Sequence, residues 1–92
     1  MEKGVRMLTR NSRKMVTFTR PFTLTNLDGP QPPGTYEVEM EEELVEGLSF
    51  PVYHRVLTVI LLPGAPGSSV LVQAVTVSGD ELDEAERRDA AP

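Results

Sequence analysis

The 92 residues contain no cysteine, one histidine and five aromatic side chains, three of them phenylalanine and two tyrosine. Without cysteine there is no disulfide, no thiolate zinc site, no cysteine nucleophile and no CxxC redox pair, and nothing points to secretion. The longest uninterrupted apolar run, Val59 to Leu62, is held between Thr58 and Pro63. It falls far short of the roughly 20 residues that a membrane-spanning helix needs. No membrane association, cofactor or metal is expected, and the reading is of a cytoplasmic protein. A chain of this length buries about 60–65% of the surface that its unfolded form exposes, enough for one small domain and not for two.

What the sequence does have is charge, and the charge is sorted. Residues 1–20 carry a net +5, residues 21–78 a net −6 and residues 79–92 a net −4, within an overall −5. A basic segment ahead of an acidic body can fold back on its own protein, reach an acidic partner or touch nucleic acid; the overall negative charge opposes the last. Residues 1–14 show neither helical nor strand periodicity and read as a disordered basic arm, followed by a single β-rich domain over 15–92. An alternative takes Met15 as the natural start, because the periodic sequence begins at Val16.

Alternation of apolar and polar residues at period two marks a half-buried strand. Over 16–25 the apolar positions are Val16, Phe18, Phe22 and Leu24, alternating with threonines, and the Arg20-Pro21 interruption places this strand at a sheet edge or on a bulge. Residues 26–34 are dominated by turn formers. Tyr36, Val38 and Met40 alternate with Thr35, Glu37, Glu39 and Glu41 in a second strand. Residues 42–51 lose the pattern and read as a loop or helical turn. Residues 52–62 are apolar at both parities, as in a central strand, and 70–77 form a fourth. Ser78-Gly79-Asp80-Glu81 matches a capping box, and the acids of the first turn and Arg87 and Arg88 of the last suit the helix dipole. A helix over 79–90 is therefore expected, with Asp83–Arg87 and Glu84–Arg88 pairs four apart. The fold class is mainly β: a four- or five-stranded antiparallel meander, barrel-like or sandwich-like, with one C-terminal helix. One short helix cannot cover both faces of a sheet, so the sheet either curls on itself or leaves a face for another chain.

No motif carries catalysis. His54 has Tyr53 and Arg55 beside it and no second ligand or local carboxylate. An enzyme would need a pocket uniting these with an acid such as Asp28 or Glu46. The row Glu37, Glu39, Glu41, Glu42, Glu43, Glu46 lacks the folded-loop geometry of a calcium site and reads as a solvated face that discourages edge pairing, or a docking strip for a basic partner. The basic residues have no interleaved aromatics for base stacking. Gly64 and Gly67 with Ser68-Ser69 are turn residues and not a phosphate loop.

The segments Pro33-Gly34-Thr35-Tyr36-Glu37-Val38-Glu39, Glu46-Gly47-Leu48-Ser49-Phe50-Pro51 and Tyr53-His54-Arg55-Val56 resemble a group of short alphaproteobacterial proteins of unknown function, over about residues 16–85. The resemblance implies a bacterial cytoplasmic protein and brings no catalytic residues with it. The function expected is non-catalytic: a protein-interaction or regulatory module that binds an unidentified protein or itself. Its candidate contact residues are Glu37, Glu39, Glu41, Glu43, Arg10, Arg13 and Lys14. The alternatives are a nucleic-acid-associated protein using the basic arm and a small enzyme or ligand-binding protein centred on His54.

Overall fold

In a computed structural model, which describes residues 9–45, 52–64, 67, 69 and 71–92, four antiparallel strands form one sheet followed by a helix. The strands are β1 (Thr9–Phe18), β2 (Gly34–Val45), β3 (Val52–Pro63) and β4 (Val72–Val77), lying side by side in chain order, and the helix is α1 (Gly79–Ala90). The sheet is open. Closure into a barrel would require β1 to pair with β4. Instead α1 occupies the inner face, and the Asn26 side chain donates to the Thr76 carbonyl of β4 at 2.8 Å.

The basic segment is not an arm over the residues described. Thr9 to Lys14 are the first part of β1, paired residue for residue with Glu43 back to Val38. The physical reason is cross-strand charge: Arg10 faces Glu42 and Arg13 faces Glu39, opposite charges at directly opposed positions. Residues 1–8 lie outside the described residues. Met15 sits inside β1, opposite Glu37, so a chain starting there would lack more than half of this strand.

Beyond Phe18 the expected strand breaks at Arg20-Pro21, yet its burial parity persists. Phe22 rejoins through a bridge to Gln31, with Phe22 N donating to Gln31 O at 3.1 Å and Gln31 N to Phe22 O at 2.8 Å. The connection then turns through Gly29, whose φ of +83° is a left-handed conformation that favours glycine. Phe22, Leu24 and Leu27 are thereby buried under the sheet. β2 runs through Glu42 to Val45, where a loop was expected. The ladder absorbs a bulge here: Glu41 pairs with Leu57 and Glu42 with Arg55, leaving Val56 as the extra residue. The rest of that expected loop, residues 46–51, lies outside the described residues.

The core gathers at one end of the inner face. Phe18 and Phe22 stack with ring centroids 3.8 Å apart, and Tyr36 meets Phe22 edge-on at 5.2 Å. Its hydroxyl donates to the Pro32 carbonyl, and burial raises its pKa. Val38 and Ile60 are completely buried at the centre of the sheet, and Leu82 and Ala85 close the core from α1. The other end of the β1–β2–β3 ribbon extends past the helix. This accounts for a Cα radius of gyration of 16.5 Å, against about 12 Å for a compact chain of this length.

Ile60→Ala should lower unfolding free energy by about 2–5 kcal/mol, read from a urea titration. Deleting residues 1–14 should also lower the urea midpoint, because it removes six ladder positions and not a solvated tail.

Candidate interaction surface

The register assigns every strand residue to a face. Val16, Tyr36, Val38, Ile60, Val75 and Val77 lie on the inner face with α1. The outer face carries Arg13, Met15 and Thr17 of β1; Thr35, Glu37, Glu39 and Glu41 of β2; Leu57, Val59 and Leu61 of β3; and Val72, Ala74 and Thr76 of β4. Among the described residues no helix or strand packs on this outer face. Met15 is 63% exposed and Val72 57%, and Leu57 is exposed as well. The face is divided lengthwise. β3 and β4 supply an apolar half, and β2 supplies the glutamate row, which Arg13 straddles at 3.3 Å from Glu37 and 3.6 Å from Glu39. Between the halves lies a hollow of about 410 Å³ edged by Asn11, Arg13, Glu39, Glu41, Leu57 and Val59.

Of the sequence-predicted contact residues, the cations are all engaged within the chain. Arg10 lies 2.8 Å from Glu42 and 3.8 Å above the Tyr53 ring centroid, a cation–π contact. Arg13 is held by the glutamate row, and Lys14 reaches Glu86 of α1 at 3.3 Å. The segment has folded back on its own protein, the first of the three outcomes open to it. Glu41 and Glu43 make no salt bridge among the described residues.

His54 borders a second hollow of about 460 Å³ together with Tyr53, Arg55, Glu42, Asp80 and Asp83. These acids differ from those anticipated: Asp28 does not line the hollow, and Glu46 lies outside the described residues. Arg55 sits 3.5 Å from Asp83 and Glu42 pairs with Arg10, so two ion pairs border the hollow against the start of α1. No group of three or more histidine or acidic side chains able to hold a metal occurs among the described residues.

The helix is fixed by contacts that sequence reasoning did not find. Ser78 caps α1 by accepting from Glu81 N at 3.2 Å, but the Glu81 carboxylate does not complete the box. It turns to the β1–β2 connection and accepts from Thr25 N and Oγ1. At the other end the Asp89 carboxylate accepts from Thr19 N at 3.0 Å, Thr19 Oγ1 at 3.1 Å and Arg20 N at 2.9 Å. Arg20 donates in return to the carbonyls of Arg88, Asp89 and Ala91, closing the helix C-terminus. The expected pairs four apart are replaced: Asp83 goes to Arg55, and Arg87 pairs with Glu84 three residues away. Asp89 in a final turn, against the helix dipole, was the available signal that its carboxylate had another role.

No helix among the described residues is long and apolar enough to cross a membrane. No protein-family model, curated protein or solved structure matches this chain.

Hydrogen bonds from the Thr25 hydroxyl and amide hold the Glu81 pKa below its ordinary value, and the Thr19 amide does the same for Asp89. The folded chain therefore releases these protons more readily than the unfolded one. Their stabilisation is complete above the unfolded-state values near pH 4 and is lost as pH falls through the lower folded-state values. Thermal unfolding followed from about pH 6 down to about pH 2 should show this loss. The Glu81→Gln, Asp89→Asn double variant should be less stable at neutral pH and show a flatter acid dependence.

Proposed function

We propose that the protein is a non-catalytic protein-interaction module whose working surface is the outer face of the sheet. The observation that carries this reading is the half-apolar outer face, which has no covering layer among the described residues, whereas α1 and the β1–β2 connection cover one end of the inner face. A soluble monomer seldom exposes a contiguous apolar patch without a use for it. The glutamate row beside the patch favours a partner with basic residues flanking an apolar strip. Arg10, Arg13 and Lys14 already face carboxylates, which supports a protein partner over a phosphate backbone.

Met15→Lys with Leu57→Lys changes two exposed outer-face side chains and leaves the inner core intact. Urea unfolding of this variant should stay within about 1 kcal/mol of the parent. Quantitative affinity purification from host lysate, with nuclease present, should recover at least one protein with the parent chain that the variant loses. Equal recovery by both, or recovery abolished by nuclease, would overturn the reading.

A further inference from the structure

The two edges of the sheet are built differently. The edge formed by β1 carries Arg10, Arg13 and Lys14, so two copies meeting along it would bring like charges together, a standard safeguard against edge pairing. The edge formed by β4, Val-Gln-Ala-Val-Thr-Val over Val72–Val77, has no charge, proline or bulge. Leu71, directly before it, is 85% exposed, and Val72 is 57% exposed.

The backbone groups free on this edge follow from two hydrogen bonds. Gly64 N donates to Leu71 O at 3.0 Å. By the alternation of an antiparallel ladder, Leu71, Gln73, Val75 and Val77 therefore turn their amide and carbonyl groups toward β3, while Val72, Ala74 and Thr76 turn theirs outward. Asn26 agrees with this assignment, because its side-chain amide reaches the outward Thr76 carbonyl and closes that end of the edge. Val72 and Ala74 are left with outward N–H and C=O groups that no described residue meets.

We propose that β4 pairs antiparallel with β4 of a second copy about a two-fold axis at Gln73, joining two four-stranded sheets into one of eight strands. In this register Val72 exchanges both backbone hydrogen bonds with Ala74 of the other copy, and the reverse, so four bonds form across the seam. The Asn26 contact at Thr76 is left undisturbed. Gln73 faces its own counterpart at a non-hydrogen-bonded position, close enough for the two side-chain amides to pair. Leu71, 85% exposed in the single chain, lands opposite the half-buried Val75 of the other copy and gains an apolar neighbour.

Charge favours this edge over the other. Strands are about 4.8 Å apart, so the glutamate rows of the two β2 strands would stand five spacings apart, about 24 Å, well beyond a Debye length of about 8 Å at physiological salt. Pairing along β1 would bring them to about 14 Å and set the arginine-rich strands side by side. The proposal rests on the reading of the protein as an interaction module, but it uses the β4 edge and not the outer face, so each can fail without the other.

Sedimentation equilibrium of the full chain tests it, with the mass expected to rise with concentration from 10.1 kDa toward twice that value. Ala74→Pro removes an outward N–H and no bond to β3, so this variant should keep its circular dichroism and remain monomeric. Gln73→Cys introduces the only thiol in the chain. The two copies of this position would lie about 4.5 Å apart between Cα atoms, within disulfide range, so mild oxidation should cross-link the variant into a dimer, while Thr17→Cys on the β1 edge should stay monomeric. A mass of one chain at every concentration would overturn the proposal. So would self-association that Ala74→Pro leaves unchanged, or cross-linking through Thr17→Cys and not Gln73→Cys. Loss by Ala74→Pro of a different protein bound to a monomeric parent would assign the edge to that protein and likewise overturn self-pairing.

Discussion

Leu82 and Ala85 are the two buried side chains of α1, and the covered end of the sheet depends on their contact with it. An isolated helix of twelve residues is marginal in water, and fully burying one leucine supplies only about 1.5–3 kcal/mol. The docking is therefore completed by polar contacts at both ends. Glu81 and Asp89 accept the otherwise free amides of the β1–β2 connection, and Arg20 takes the orphan carbonyls at the helix end. The same bonds that hold the helix down hold the connection under the sheet. Helix, connection and sheet end thus form one cooperative unit.

Outside that unit the chain is a three-stranded ribbon with solvent on both faces, and this explains which parts of the fold were legible. Period-two alternation exists only where one face is buried. It therefore marked Val16, Phe18, Tyr36 and Val38, and the buried parity held even at Phe22 and Leu24, beyond the strand itself. Thr9 to Arg13 and Glu43 to Val45 lie beyond the contact of Lys14 with Glu86 of α1, where neither face is dry. Their sequences alternate weakly or not at all, and the bulge at Val56 further disturbs the pairing. The helix was readable because Ser78 and the charges around it act locally.

The interaction surface was legible in part. Counting layers left two outcomes, a sheet that curls on itself or one that leaves a face for another chain, and Arg20-Pro21 left an edge or a bulge; the sheet is open with β1 at its edge. The internal pairing of Arg10, Arg13 and Lys14 was not legible, because charge sorting along a chain does not tell whether opposite blocks meet within one molecule or between two. The long partnerships of Glu81 and Asp89, some 56 to 70 residues from their donors, leave no local trace beyond an acid at the wrong end of a helix.

The glutamate row has a consequence for strand alignment. Because acids recur at every second residue of β2, and so at successive outer-face positions from Glu37 to Glu43, Arg13 meets a carboxylate whether the β1–β2 pairing is correct or slipped by two residues. That row is blind to such a slip. Arg10 is not: in the native pairing it faces Glu42, and a slip would set it opposite Met40 or Leu44. Alignment of the ribbon is thus encoded at its extremities, by the aromatic cluster at one end and by Arg10, Glu42 and Tyr53 at the other, while its middle is free to accept either pairing.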